Sequence, residues 1–252
     1  AGLHAAAVTV LTPVHADMQS RLGPEHPLTI AAVSELALAE LRQGHGQALA
    51  VWLTRLRGST GPGDAWRDDH AATLDAMHAM YSGQAARAES ELRRLLAALE
   101  RDEGGVTAAT EPVRRLHAEA LLRMGHNTEA EAELESTWRN QLKLSGPDHP
   151  SLASTQVLLG VALARRGDLA SARAHWARAA SRLRLALGEH HPFALAATCY
   201  AALADDAMAD QRPALADALQ QTLGWQEGAS RLVAALRSDR KDLDWSRLPV
   251  VL

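Results

Sequence analysis

Three arginines hold the same place in this chain. Arg42, Arg123 and Arg165 each stand two residues before a glycine, at Gly44, Gly125 and Gly167, and Tyr81 takes that slot before Gly83. Arg115 and Glu119 precede Arg123 at helical spacing. Guanidinium groups repeated along one surface can grip carboxylates or phosphates through paired N–H donors. A ladder of this kind suits an extended acidic or phosphorylated segment. The same slot also serves helix-end electrostatics, where a cation in the last turn contributes about 0.3–1 kcal/mol. On the sequence alone both readings stand.

Other residues with reactive side chains do not assemble into known chemistry. There is no GxSxG elbow, phosphate-binding Walker loop, HExxH or GxGxxG. "GHGQAL" at 44–49 begins like a dinucleotide motif, but no strand pattern precedes it and its last glycine is missing. Of the 12 histidines, three precede proline, at His26, His149 and His191. Adjacent helices pack about 10 Å apart, whereas ligands must converge within about 2 Å of one ion. These histidines are therefore expected to pack locally, each bonding a nearby backbone carbonyl. His190 and His191 with Glu189 are too close in sequence to ligate together. Cys199 has no activating base or cation in its neighbourhood, so a buried or groove-lining free thiol is expected. A single cysteine excludes an internal disulfide and any multi-cysteine zinc site. No catalytic residue, cofactor site or metal site is expected.

The elements that position the arginines come from a period. The glycines at 44, 83, 125 and 167 are 39, 42 and 42 residues apart, and each ends an apolar-periodic run. A small residue lies seven before each glycine, at Ala37, Ala76, Ala118 and Gly160, and alanine lies five after three of them, at Ala88, Ala130 and Ala172. Near-identical joints, "LGPEHP", "SGPDHP" and "LGEHHP", recur at 22–27, 145–150 and 187–192. Weaker joints are read at "RDDHAAT" near 70 and "TEPVRR" near 111. Leu152, Leu159 and Leu163 share one helical face, and Ala172, Trp176 and Ala179 another. Glycine supplies a left-handed cap, proline starts the next helix, and matched small residues let paired helices approach.

This pattern resembles tetratricopeptide repeats of the long subclass typified by kinesin light chain, over about residues 22–223. The resemblance implies an all-α, right-handed superhelical solenoid of antiparallel helix pairs. It would form a single domain over 1–252: a leading half-repeat at 1–21, five repeats at 22–223, and a capping helix with tail at 224–252. Helices are expected at about 2–21 and 226–238, with pairs at 27–58, 67–102, 109–145, 149–187 and 192–223. The fifth unit has no glycine at 209, and loops are expected at 58–66 and 101–110. In this geometry the first helices line a concave groove, which Arg42, Tyr81, Arg115, Glu119, Arg123 and Arg165 would face or border. Chaperone-binding repeats grip a terminal carboxylate with lysine and asparagine on their first helices. Here Asn occurs only at 127 and 140 and Lys only at 143 and 241, outside those slots.

Composition narrows the partner class. Alanine and leucine dominate, and six of the nine aromatic residues are tryptophan. Trp52 and Trp176 are expected in the core, and Trp66, Trp225 and Trp245 near loops or ends, where a contact anchor would sit. A net charge of −4 gives no basic field for nucleic acid or an anionic membrane. No apolar run is long enough to span a bilayer. The opening "AGLHAAAVTVLTPVH" reads as a fragment or processed product, and the preference for Arg over Lys suits a GC-rich bacterial genome. The expected function is a non-catalytic protein–protein interaction module, the regulatory or sensory repeat domain of a larger bacterial signalling protein. Its partner is expected to be a protein or peptide segment in the groove. A ligand-sensing domain of a membrane-associated regulator or kinase, and a self-associating homodimer, are the alternatives. Absence of disulfides favours the cytoplasm, with the periplasm open. The apolar tail "DWSRLPVVL" at 244–252 either folds back onto the last pair or continues as a linker.

Overall fold

Among the described residues seven glycines lie in the left-handed region, and four of them are the periodic ones: Gly44, Gly83, Gly125 and Gly167, with φ of 77°, 79°, 85° and 93°. At Gly44 the cap closes with N–H bonds from Gly44 to Leu41 O and from His45 to Glu40 O, at 3.1 and 3.0 Å. The computed structural model describes the backbone of residues 2–58, 65–103, 107, 110–146, 149, 151–223 and 227–251. It describes the side chains of all of these but 2–4, 65, 66, 102, 103 and 240. Two compact units divide the chain, residues 1–95 and 96–252.

In the first unit, α1 (Gly2–Leu22) packs on α2 (Pro27–Gln43), α2 on α3 (Gly46–Gly58), and α3 on α4 (Ala65–Tyr81). The division falls inside α5 (Ala85–Glu103). In the second unit, α6 (Thr110–Met124) packs on α7 (Asn127–Ser145), α7 on α8 (Ser151–Arg165), α8 on α9 (Leu169–Leu187), and α9 on α10 (Pro192–Ala204). Then α10 packs on α11 (Arg212–Leu223), and α11 on α12 (Glu227–Arg237). Among the described residues there is no strand. The fold is all-α, built from successive antiparallel helices.

The His-Pro joints are helix starts, and the histidine ring caps the helix by accepting from a backbone N–H. His26 and His191 are N-caps, and their Nδ1 atoms accept from the backbone N–H of Leu28 and Phe193, both at 3.2 Å. His149 Nδ1 accepts likewise from Ser151 N–H at 3.3 Å. The ring does what a Ser or Asp oxygen does elsewhere, satisfying an orphan donor of the first turn. Proline at the first helical position has no N–H to leave unpaired. Pro147, Asp148 and Pro150 of the middle joint lie outside the described residues, as do most of the loops expected at 58–66 and 101–110.

One expectation needs correction, and one irregularity of the sequence finds its structural form. "RDDHAAT" is not a joint: residues 67–73 lie within α4, which starts at Ala65. The fifth pair makes its turn without a left-handed glycine. Asp205 caps a 3-10 turn over Asp206–Gln211, and the buried Arg212 side chain reaches back to the end of α10. Its Nε donates to Ala202 O at 2.9 Å and its Nη2 to Asp205 O at 3.4 Å. A guanidinium thus satisfies the carbonyls that a glycine cap would serve in the other pairs.

The matched small residues sit where helices approach. Ala37, Ala76, Ala118, Ala88, Ala130 and Ala172 are all fully buried. Gly160 differs for a reason: Trp176 of α9 lies flat against it. A Cβ there would come within 2.7 Å of the indole Cδ1 and Cε2. Trp176 is fully buried and donates from Nε1 to Val157 O at 3.0 Å, so the indole uses both its bulk and its one donor on α8.

Candidate functional site

The sequence-predicted residues fall in both units. Arg42 and Tyr81 stand near the ends of α2 and α4 in the first unit, both half-buried. Arg115, Glu119, Arg123 and Arg165 belong to the second unit, on α6 and α8, which are neighbours. Successive turns of α6 bring Arg115, Glu119 and Arg123 together. Glu119 is only 1 % exposed and lies between the two guanidiniums, 3.7 Å from Arg115 Nη1 and 2.9 Å from Arg123 Nη2. A buried carboxylate flanked by two cations is a paired charge, not an orphan.

Arg165 does something the sequence did not disclose. Its Nε and Nη2 both donate to the backbone carbonyl of Leu248, at 2.9 and 2.6 Å, across 83 residues of chain. Its Nη1 donates to Leu122 O, near the end of α6, and to Asn127 Oδ1 at 3.2 Å. The guanidinium therefore does two things at once. It satisfies a carbonyl in the last turn of α6, and it holds an extended segment. Burial pulls its pKa below the ordinary arginine value, and the charges of Arg231 and Arg123 act in the same direction.

That segment is the chain's own residues 244–251. Asp244 caps a 3-10 turn at Trp245–Arg247 by accepting from Ser246 N–H at 3.0 Å. Pro249 disfavours helix at Leu248, which is extended at φ −52°, ψ 126°. Leu248, Pro249, Val250 and Val251 are all buried. Three consecutive carbonyls are held by side chains: Arg247 O by Arg231 of α12 at 3.2 Å, Leu248 O by Arg165, and Pro249 O by the Tyr200 hydroxyl at 2.7 Å. The same hydroxyl accepts from Val251 N–H at 2.9 Å. Tyr200, on α10, is fully buried, and burial pushes its phenol above the ordinary range. Trp176 stacks between Tyr200 and Trp245, with ring centroids 5.3 and 6.5 Å away. On α12, a Cβ at Gly228 would overlap the carbonyl oxygen of Val250.

The arrangement holds the chain's own residues 247–251 by their main chain. Two arginines and a tyrosine read main-chain groups, and stacked aromatic rings and aliphatic helix faces receive side chains. Sequence reasoning misses Tyr200 and Arg231 as site residues. The signal for Tyr200 is in "PFALAATCYAALA": a phenol in a helix of apolar residues needs a polar partner from elsewhere.

A search of solved structures finds the crystal structure of BtubC (BKLC) from P. vanneervenii at TM-score 0.59 and 16% identity, covering 95% of this chain and 94% of that one. This is a helical-repeat fold. At that identity the likeness speaks to the fold alone. No protein-family model and no curated protein matches the sequence.

The remaining candidates resolve locally. Cys199 is buried, 3.9 Å from Leu215 O, and burial pushes its thiol up to about 12, so it is a packing residue in the neutral range. Trp52 is half-buried, edge-on to His15 and under the guanidinium of Arg55 at 4.8 Å. The side chain of Trp66 and all of Trp225 lie outside the described residues. A cleft of about 420 Å³ in the first unit is lined by His15, Gln19, Glu25, Thr29 and Arg55 among others. Among the described residues, no group of three or more His, Cys, Asp or Glu could hold a metal ion, and no helix is long and apolar enough to cross a membrane.

Proposed function

We propose that this chain is a non-catalytic interaction module of the tetratricopeptide type, which binds an extended protein segment on the face formed by α6, α8, α10 and α12. It would act as the regulatory or sensory domain of a larger signalling protein. One observation carries the reading: this face already holds an extended segment by its main-chain carbonyls, through Arg165, Arg231 and Tyr200. Main-chain recognition supplies affinity for any extended strand, and side-chain pockets supply selection. Helical repeats are widely used for such binding, and the absence of nucleophile, phosphate-loop or metal motifs in the sequence is in keeping with it.

A displayed peptide library panned against the full chain tests this. Selected segments should bind the wild type saturably and lose at least tenfold in affinity with Arg123→Ala/Arg165→Ala, while the helical circular dichroism of the variant is kept. Segments that bind both proteins equally, or no selection at all, would remove the α6–α8 face from the reading.

A further inference from the structure

Residues Trp245–Val251 differ from the rest of the second unit in how they are held. They add no helix to the stack. Outside the short turn their hydrogen bonds run from side chains to backbone: Arg231, Arg165 and Tyr200 onto three consecutive carbonyls, and Val251 N–H onto Tyr200. Their buried side chains are aliphatic and uncharged, Leu248, Val250 and Val251 around Pro249, while Ser246 and Arg247 point outward and are exposed. The floor is already shaped: Trp176 is held by Val157 O and stacked on Tyr200, and Gly228 leaves space for one carbonyl oxygen. A preset floor, backbone-directed donors and a proline-bent extended occupant are the features of a ligand site.

Resting on the reading above, we infer that this face is selective for an extended, uncharged, proline-containing aliphatic segment of the Leu-Pro-Val-Val kind, and that residues 248–251 occupy it in cis. A partner segment of the same chemistry binds by replacing them. Arg165 directs its donors to a carbonyl here, so the segment needs no acidic side chain to be gripped. A tethered occupant competes at an effective concentration on the order of millimolar. An external segment therefore meets a site that is mostly full, and whatever loosens residues 238–244 raises its apparent affinity.

The test uses the full chain and a fluorescein-labelled peptide of residues 244–251, DWSRLPVV, read by anisotropy. In a release variant, Leu248→Asp/Val250→Asp, two carboxylates would enter buried apolar positions, so the tethered segment leaves and the floor is unaltered. The probe should bind this variant saturably and at least tenfold more tightly than wild type. Adding Tyr200→Phe should weaken it at least tenfold, and adding Gly228→Ala should abolish it, since the new methyl overlaps the Val250 carbonyl of any occupant. A release variant that keeps its helical circular dichroism but ignores the probe overturns the inference. Loss of helicity also overturns it, because a replaceable segment cannot be required for folding. A wild-type dimer in native mass spectrometry that the release mutations dissolve overturns cis occupancy in favour of exchange between copies. Panning the folded release variant separates the two readings. If it selects other segments that depend on Arg165, the interaction module stands and only the Leu-Pro-Val-Val selectivity falls.

Discussion

Gly160→Ala sets two effects of opposite sign against each other. Gly160 lies in the interior of α8, where replacing glycine by alanine is worth about 0.5–1 kcal/mol in favour of the helix. Packing opposes this. The new methyl would stand within 2.7 Å of three atoms of the Trp176 ring, well inside contact distance. The ring has little room to yield, since it is fully buried, stacked on Tyr200 and bonded to Val157 O. Overpacking of a filled site costs about 1–3 kcal/mol. If the indole tilts, its N–H loses the Val157 carbonyl, and an unsatisfied buried donor costs about 1–3 kcal/mol more. Steric overlap and the lost hydrogen bond together outweigh the helix preference, giving a net loss of about 2–3 kcal/mol. For a chain of this size that is a fall in Tm of roughly 4–12 °C. Thermal melts followed by far-ultraviolet circular dichroism would read it, with a red shift of tryptophan emission as the local sign. The double variant with Trp176→Phe should recover part of the loss in a double-mutant cycle. A Gly160→Ala protein as stable as wild type, or more stable, would refute the reasoning, because helix propensity alone would then account for the site.

Two further outcomes follow from burial. Cys199, with its thiol pushed up to about 12, should resist iodoacetamide in mildly alkaline buffer for as long as the protein is folded and react at once in denaturant; mass spectrometry of the native protein decides it. Glu111 is 3 % exposed, and among the described residues neither of its oxygens accepts a well-formed hydrogen bond. Burial raises its carboxyl above the ordinary range, Arg114 and the nearby Asn140 amide pull it down, and Glu133 adds to the rise. A carboxyl raised in the folded state keeps its proton when the unfolded chain has lost its own, so stability falls as pH climbs through that window. Glu111→Gln should therefore melt higher than wild type at neutral pH, by about 2–4 °C if removing the buried charge returns about 1 kcal/mol. The difference should vanish below the ordinary carboxylate range, and a gain that persists there would show that charge was not its cause.

The period is legible because it rests on local chemistry. Glycines at 44, 83, 125 and 167 end helices for the same steric reason, and each repeats a signal that one stretch of sequence contains. The matched small residues carry the helix pairing for the same reason. What is not legible involves partners distant in sequence or unusual in type. Histidine as a cap acceptor is chemically sound, but a carbonyl partner is equally open to a neutral imidazole. Arg212 replaces a glycine cap by reaching back 10 residues to Ala202. Nothing in the glycine spacing announces that. The run at 67–73 carries acidic residues and a histidine without the proline that makes the other joints stop a helix, and it continues as one.

The site shows the same division more sharply. The slot two before the glycine locates Arg165, since the end of a first helix is a periodic place. Its ligand lies 83 residues on, and no spacing rule connects them. An anion ladder and helix-end electrostatics differ in the charge they assign to the arginine's partner. The structure gives Arg165 a third kind of acceptor, the neutral main-chain carbonyl of an extended strand, and uses the same group for the end of α6. A guanidinium has five donors in one plane, enough to serve a helix end and an extended strand together. Lysine could hold either but not both in fixed geometry. Arginine at the end of a first helix therefore holds a helix end and an extended segment at once, and under the proposed replacement the same plane of donors would meet a partner's carbonyl where it now meets that of Leu248.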